Sequence, residues 1–203
     1  MNIALIGATG HAGSRILTEL VQRGHSVTAI VRHPDRIPAL PDVTAVEADV
    51  HDTPALAKFL TGHDAVISSV HFLAADAPAF LPAIRGSGVR RYLVVGGAGT
   101  LEVRPGLRLV DTPDFPALYH GESSAGAAFL EALRAVTDLD WTFLSPSAEF
   151  VEGSRTGKFR LGEDALLTDS QGRSWISYED YAVAMVDELE RPAHVRTRFT
   201  VGY

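Results

Sequence analysis

Short apolar runs alternate with amphipathic stretches along this chain, starting from its first residues. Ile3 to Ile6 is a continuous apolar run of the length expected of a strand buried on both faces, and it stops at a glycine cluster. From Ala12 to Arg23 the residues Ile16, Leu17, Leu20 and Val21 recur at helical spacing, and Gly24 predicts the stop. Ser26 to Val31 reads as a second strand, ending before His33-Pro34, where the proline discourages continuation. Together these segments form one βαβ unit of about thirty residues.

The same alternation predicts strands at Val43 to Ala48, Asp64 to Val70 and Arg91 to Val95, with helices at Pro54 to Leu60 and around Ala77 to Ile84 between them. Parallel neighbours need crossover connections, so the pattern predicts an α/β fold with a doubly wound parallel sheet and helices on both faces. Ala98 to His120 holds three of the eleven prolines and little periodicity, which predicts a long irregular loop on the substrate side. Glu122 to Val136 resumes a helix with Phe129, Leu130 and Leu133 on one face, and Asp140 to Leu144 follows as a sixth strand. Ser147 to Trp175 is short in pattern and polar, with a turn at Ser170-Gln171-Gly172 that predicts a small hairpin. Ser177-Tyr178-Glu179-Asp180 resembles a helix N-terminal cap; the helix should run to about Glu190, with a last strand near Arg198 to Val201.

Composition narrows the picture. A chain of 203 residues, 46% hydrophobic and 21% charged, fills one substantial core and not two. We therefore expect a single domain over 1–203, with a small substrate-side region built from loops at about 98–120 and 146–176. Its 18 basic and 25 acidic side chains give a net charge of -7, so no basic footprint draws it toward nucleic acid or an anionic membrane. Cysteine is absent, which removes disulfides, thiolate metal sites and a cysteine nucleophile. The N-terminal segment lacks the pattern of a secretory signal, and no stretch reaches the ~18 apolar residues of a spanning helix, so a soluble, cytoplasmic protein is expected. The eight histidines show no metal-ligand spacing and read as solvated or loop residues; no Gly-x-Ser-x-Gly elbow occurs. The oligomeric state is left open.

Chemistry enters at Gly7-Ala8-Thr9-Gly10-His11-Ala12-Gly13, where glycines spaced three and three follow a strand and open a helix. Gly7 allows a tight turn, Gly10 lets the backbone approach a pyrophosphate, and Gly13 permits close packing of helix on strand. At this first βα junction the pattern points to a dinucleotide. The second strand ends in Arg32-His33 where an acid would bind a ribose 2'-hydroxyl, and an arginine fork there suits a 2'-phosphate. That favours NADP, while nearby Asp35 keeps NAD open. Asp49-Val50 should flank adenine, and Ser68-Ser69 should line the nicotinamide side, because ligands occupy the carboxyl ends of parallel strands.

Those residues, with Val94-Val95-Gly96-Gly97-Ala98-Gly99, Asp111-Thr112-Pro113-Asp114-Phe115-Pro116 and the ending Phe199-Thr200-Val201-Gly202-Tyr203, are similar to the small atypical short-chain dehydrogenase/reductases of the NAD(P)H-flavin reductase group. Biliverdin reductase B and the NmrA-like proteins are related groups. The resemblance covers essentially the whole chain. It implies a Rossmann-like fold, a nicotinamide nucleotide held partly by Gly96-Gly97, and a small-molecule acceptor, with flavin as substrate rather than bound cofactor.

Ordinary members of the wider family reduce carbonyls with a tyrosine followed four residues later by a lysine. The only lysines are Lys58 and Lys158, preceded at that distance by Pro54 and Ser154, so the pair does not exist here. Flavin accepts hydride without a dedicated acid, so orientation is what the protein must supply. This leads to an NADPH-dependent oxidoreductase acting on a flavin-like or quinone-like acceptor, with Tyr119 and His120 as candidates for substrate contact or a proton path. Phe150 and Trp175 are candidate walls of the acceptor pocket. The rival reading is a non-catalytic NAD(P)-sensing regulator of the NmrA-like type.

Overall fold

The strand β1 (Asn2–Ile6) sends Ala4 and Ile6 into one hydrophobic cluster and Ile3 and Leu5 into another, so it is buried on both faces as its unbroken apolar run requires. The computed structural model describes residues 1–203. After β1 come α1 (His11–Gln22), β2 (Ser26–Val31), β3 (Val43–Glu47), α2 (Thr53–Leu60), β4 (Ala65–Ser68), α3 (Ala77–Ser87) and β5 (Arg91–Val95). The short β6 (Glu102–Arg104) and β7 (Leu107–Arg108) precede α4 (His120–Arg134) and β8 (Asp140–Ser145). The chain ends with β9 (Glu149–Val151), β10 (Arg160–Gly162), β11 (Trp175–Ser177), α5 (Tyr178–Glu190) and β12 (Thr197–Gly202).

Eight strands form one sheet in the order β10-β12-β8-β5-β4-β1-β2-β3, parallel except for β10 against β12. The order reverses direction at β1 and β4, which leaves a crevice outside their carboxyl ends. Helices α1 and α5 cover one face and α2, α3 and α4 the other, which is the Rossmann-like doubly wound arrangement. On α1, Ile16, Leu17 and Leu20 are buried, each stabilising by roughly 1.5 to 3 kcal/mol relative to exposure. No helix is long and apolar enough to cross a membrane.

Two segments depart from the sequence expectation. The stretch 98–120 holds the β6 and β7 hairpin, turned at Gly106 with φ +78, and 3-10 turns at Leu109–Asp111 and Ala117–Tyr119. The turn at Ser170-Gln171-Gly172 exists, braced by Asp169 Oδ1 accepting from the Gln171 and Arg173 amides, but it closes no hairpin. Its flanks pair elsewhere: β11 runs parallel to β9, and β10 joins β12. α4 also begins at His120, so that residue is helical rather than the end of a loop.

Candidate functional site

Three glycines at the β1 to α1 junction are glycines for different reasons. Gly7 has φ +83, and a Cβ there would collide with the Ser69 carbonyl. At Gly13 a Cβ would collide with the Gly7 carbonyl, so Gly13 sets how closely helix packs on strand. Gly10 has neither need: its φ is -73, and the nearest atom to a Cβ there would be the Gly7 carbonyl oxygen at 3.5 Å. Gly10 lines the cavity beside it, so the space a side chain would fill belongs to the cavity. It is the N-cap of α1 without a side-chain cap, and no acidic side chain sits in the first turn, so the helix presents its N-terminal amides uncapped.

A cavity of about 750 Å³ extends from this loop along the carboxyl ends of the strands. Over β2 and β3 it is lined by Arg32, Glu47, Asp49, Val50 and His51. Arg32 is exposed and in no ion pair, and Asp35 lies outside the lining. Asp49 Oδ1 accepts from the His51 amide at 2.9 Å, which orients its carboxylate. Over β4, β5 and β8 the walls are Ser69, Val70, Gly96, Gly97, Pro146 and Phe150, with Tyr178 at the start of α5. The Tyr178 ring packs on Phe150 at 4.5 Å and stacks on His11 at 5.4 Å between centroids, 11° from parallel. Burial pushes its phenol above the ordinary tyrosine range, against the opposing pull of the Arg15 guanidinium.

The far wall comes from α4 and from the turn after β4. Glu122 accepts from the backbone amides of Phe72 at 2.7 Å and Leu73 at 3.1 Å, and His71 Nδ1 lies 3.4 Å from the same carboxylate. A Cβ at Gly126 would press on the Phe72 ring, so the small residue on α4 seats that ring at the cavity floor. Ser123, Thr100 and Gly99 complete this end.

Of the residues read from sequence, Gly7, Thr9, Gly10, His11, Ala12, Arg32, Asp49, Val50, Ser69, Gly96, Gly97 and Phe150 converge on the cavity. Others do not. Ala8 is 1% exposed and packs in the core, and Gly13 acts through packing. His33 is exposed and precedes a 3-10 turn. Ser68 points inward, because it is still in the alternating strand, and bonds the buried Tyr92 hydroxyl at 2.8 Å. Tyr119 and His120 lie outside: Tyr119 is 57% exposed, and the His120 ring rests on Phe115 at 5.0 Å. Trp175 is held between Tyr203 and the Arg173 guanidinium, away from the cavity. One histidine departs from the solvated or loop reading, His25, which is buried against Glu190; His11, His51 and His71 are exposed and line the cavity.

Sequence reasoning missed Tyr178, Glu122, His71 and Phe72. Tyr178 had a signal, since it follows a strand directly and opens a helix, the position where side chains meet ligands in α/β folds. The other three are brought together only by the fold.

Comparison with known proteins agrees with this geometry. A family model described as NAD(P)H-binding matches residues 7–192. The Bacillus subtilis protein YwnB is 40% identical over 99% of this chain and 98% of its own. A solved structure of a candidate exported protein from Burkholderia pseudomallei is 45% identical with TM-score 0.91, covering 100% of both chains. A Streptococcus pneumoniae structure described as a candidate NADH-flavin reductase is 38% identical with TM-score 0.83, covering 100% of this chain and 99% of that one. With a parallel sheet whose glycine loop opens onto the switch-point cavity, the chain belongs to the NAD(P)H-binding family of atypical short-chain dehydrogenase/reductase-like proteins.

Proposed function

We propose that the protein is an NADPH-dependent reductase that passes hydride to a flat flavin-like or quinone-like acceptor. The observation that carries the reading is the strand-end cavity that contains Gly96-Gly97: the rings of Phe72, Phe150 and Tyr178 line it, and its one lysine or arginine is Arg32, after β2. Such walls receive a planar conjugated ring and orient it.

The residues present fit a dinucleotide. The open approach at Gly10 and the uncapped amides of α1 suit a pyrophosphate. Asp49, Val50 and the unpaired Arg32 line the cavity beyond β2 and β3, where the first two would flank adenine and the arginine would meet a 2'-phosphate. Gly97 is equally open, its added Cβ coming no closer than 3.9 Å to Phe72, so a ring can lie flat against that backbone. When bound, the reduced nicotinamide supplies the hydride. The protein's part is to hold both rings and to keep bulk water from between them.

The test is steady-state NADPH oxidation with riboflavin, FMN and small quinones, against a sample lacking acceptor. Acceptor-dependent turnover supports the reading. Tight nucleotide binding with no turnover on any acceptor replaces it with the sensory, NmrA-like reading.

A further inference from the structure

The missing tyrosine and lysine pair leaves the proton side of the reaction without an owner, and the far wall of the cavity offers one. His71 follows β4 and lines the cavity, and its side chain is 87% exposed, so solvent reaches the ring. Its Nδ1 lies 3.4 Å from Glu122 Oε1. Glu122 is itself fixed by the Phe72 and Leu73 amides and is 29% exposed, so the carboxylate is a fixed partner rather than a swinging surface chain. The second ring nitrogen, Nε2, has no partner within the protein. A carboxylate on one imidazole nitrogen with the other left free is the arrangement that turns a histidine into a directed proton donor.

Tyrosine offers less. Tyr92 bonds Ser68, Tyr181 bonds the Leu144 carbonyl, Tyr203 bonds Asp180, and Tyr119 is outside the cavity. Tyr178 is inside, but the arginine over its ring is already engaged by Glu152 and Glu179. That arginine is therefore not free to play the lysine's part.

We infer that His71 is a proton donor, positioned by Glu122, and that it gives the protein a second activity: reduction of aromatic carbonyl compounds, whose oxygen must gain a proton as its carbon gains hydride. The inference rests on the reductase reading above. In the balanced step the carbonyl carbon forms a C-H bond with hydride from the reduced nicotinamide, leaving the oxidised nucleotide. The carbonyl π pair moves to oxygen and takes the Nε2 proton of the doubly protonated His71 ring, giving an alcohol and a neutral imidazole, which takes up one proton from solvent to complete the cycle. The rings of Phe72, Phe150 and Tyr178 suit an aromatic aldehyde, and the Glu122 carboxylate disfavours an anionic one.

The experiment compares wild type, His71→Ala and Glu122→Gln with 4-nitrobenzaldehyde and with riboflavin, each with NADPH. A general acid contributes about 100-fold to 10,000-fold. His71→Ala should therefore lose at least about 100-fold of kcat on the aldehyde, and clearly less on riboflavin, with added imidazole restoring part of the loss. Glu122→Gln should lower kcat on the aldehyde roughly tenfold with KM for NADPH unchanged, as loss of positioning predicts. In the nucleotide-free protein, the 15N resonances of the His71 ring should move on Glu122→Gln, a readout independent of turnover. Aldehyde turnover undiminished in His71→Ala, or ring resonances indifferent to Glu122→Gln, overturns the dyad and leaves the reductase reading standing. No turnover of either acceptor by wild type overturns both.

Discussion

At the scale of single residues, the glycine loop separates what binds from what folds. Gly10→Val should retain the fold, because no protein atom blocks a side chain there, yet abolish NADPH binding in calorimetry, because the branched chain occupies the pyrophosphate approach. Gly13→Ala should do the reverse in kind. Its Cβ would meet the Gly7 carbonyl, so stability should fall by about 1 to 3 kcal/mol in denaturant titration. A Gly10→Val variant that folds and binds normally would remove the nucleotide from this loop. If Arg32 meets a 2'-phosphate as proposed, the charge-assisted contact is worth about 1.5 to 3 kcal/mol, so NADPH should bind on the order of 10 to 100 times more tightly than NADH. Arg32→Ala should erase most of that gap by weakening NADPH alone, and the gap in wild type should shrink with salt. Equal wild-type affinities would mean that Glu47, which also lines this end, outweighs the arginine.

At the scale of elements, α1 and α5 are joined by more than apolar contact. Glu19 on α1, 2% exposed, accepts from Arg155 at 2.7 and 2.8 Å and from Arg23 at 2.7 Å; Arg23 also reaches Asp187 and Glu190 on α5. The Arg155 contact, with Arg23 behind it and burial opposing, holds the Glu19 carboxyl below its ordinary range. A carboxyl depressed in the folded state contributes stability that is present above its unfolded value, about 4.3, and is lost as pH falls through the folded one. The protein should therefore lose stability below about pH 4.5, and Glu19→Gln should be less stable than wild type at pH 7 with the difference narrowing toward pH 3. Denaturation midpoints across that range decide it; a constant difference would mean the network contributes packing and no charge. The elements also explain what the sequence could disclose. β2 and β5 are found at Ser26–Val31 and Arg91–Val95, where the alternation of short apolar and amphipathic segments predicts them. Strands β6, β7, β9, β10 and β11 have only two or three residues, so there is no period to count, and β9, β10 and β11 also pair with distant segments. The glycine loop is legible for the same reason as β1, since its residues are contiguous, and Arg32 and Asp49-Val50 are legible because each follows a strand that the pattern predicts. The rest of the cavity draws His71, Glu122 and Tyr178 from the turn after β4, α4 and α5, and only the topology assembles them.

At the scale of the whole molecule, the cavity lies on the seam where strand order reverses, between β1 and β4, and its walls come from both layers of the fold. A ligand there touches the β1 to α1 loop, the ends of β2 and β3, the turn after β4, and the starts of α4 and α5. It therefore binds only when the sheet and both helical layers are assembled, and has nothing to bind in the unfolded chain. Such a ligand stabilises by mass action, about 2.7 kcal/mol at 100 times its Kd. For a chain of this size roughly 1 kcal/mol moves Tm by 2 to 4 °C, so saturating NADPH should raise Tm by about 5 to 10 °C. NADH at the same concentration should raise it less, by the logarithm of the affinity ratio set at Arg32. Gly10→Val should show no shift with either nucleotide while keeping its own transition cooperative. Thermal unfolding followed by circular dichroism, with the nucleotide series run on both proteins, separates the outcomes. A Tm indifferent to nucleotide in wild type, or a shift that survives Gly10→Val, would place the nucleotide away from the switch point and leave the cavity for some other ligand.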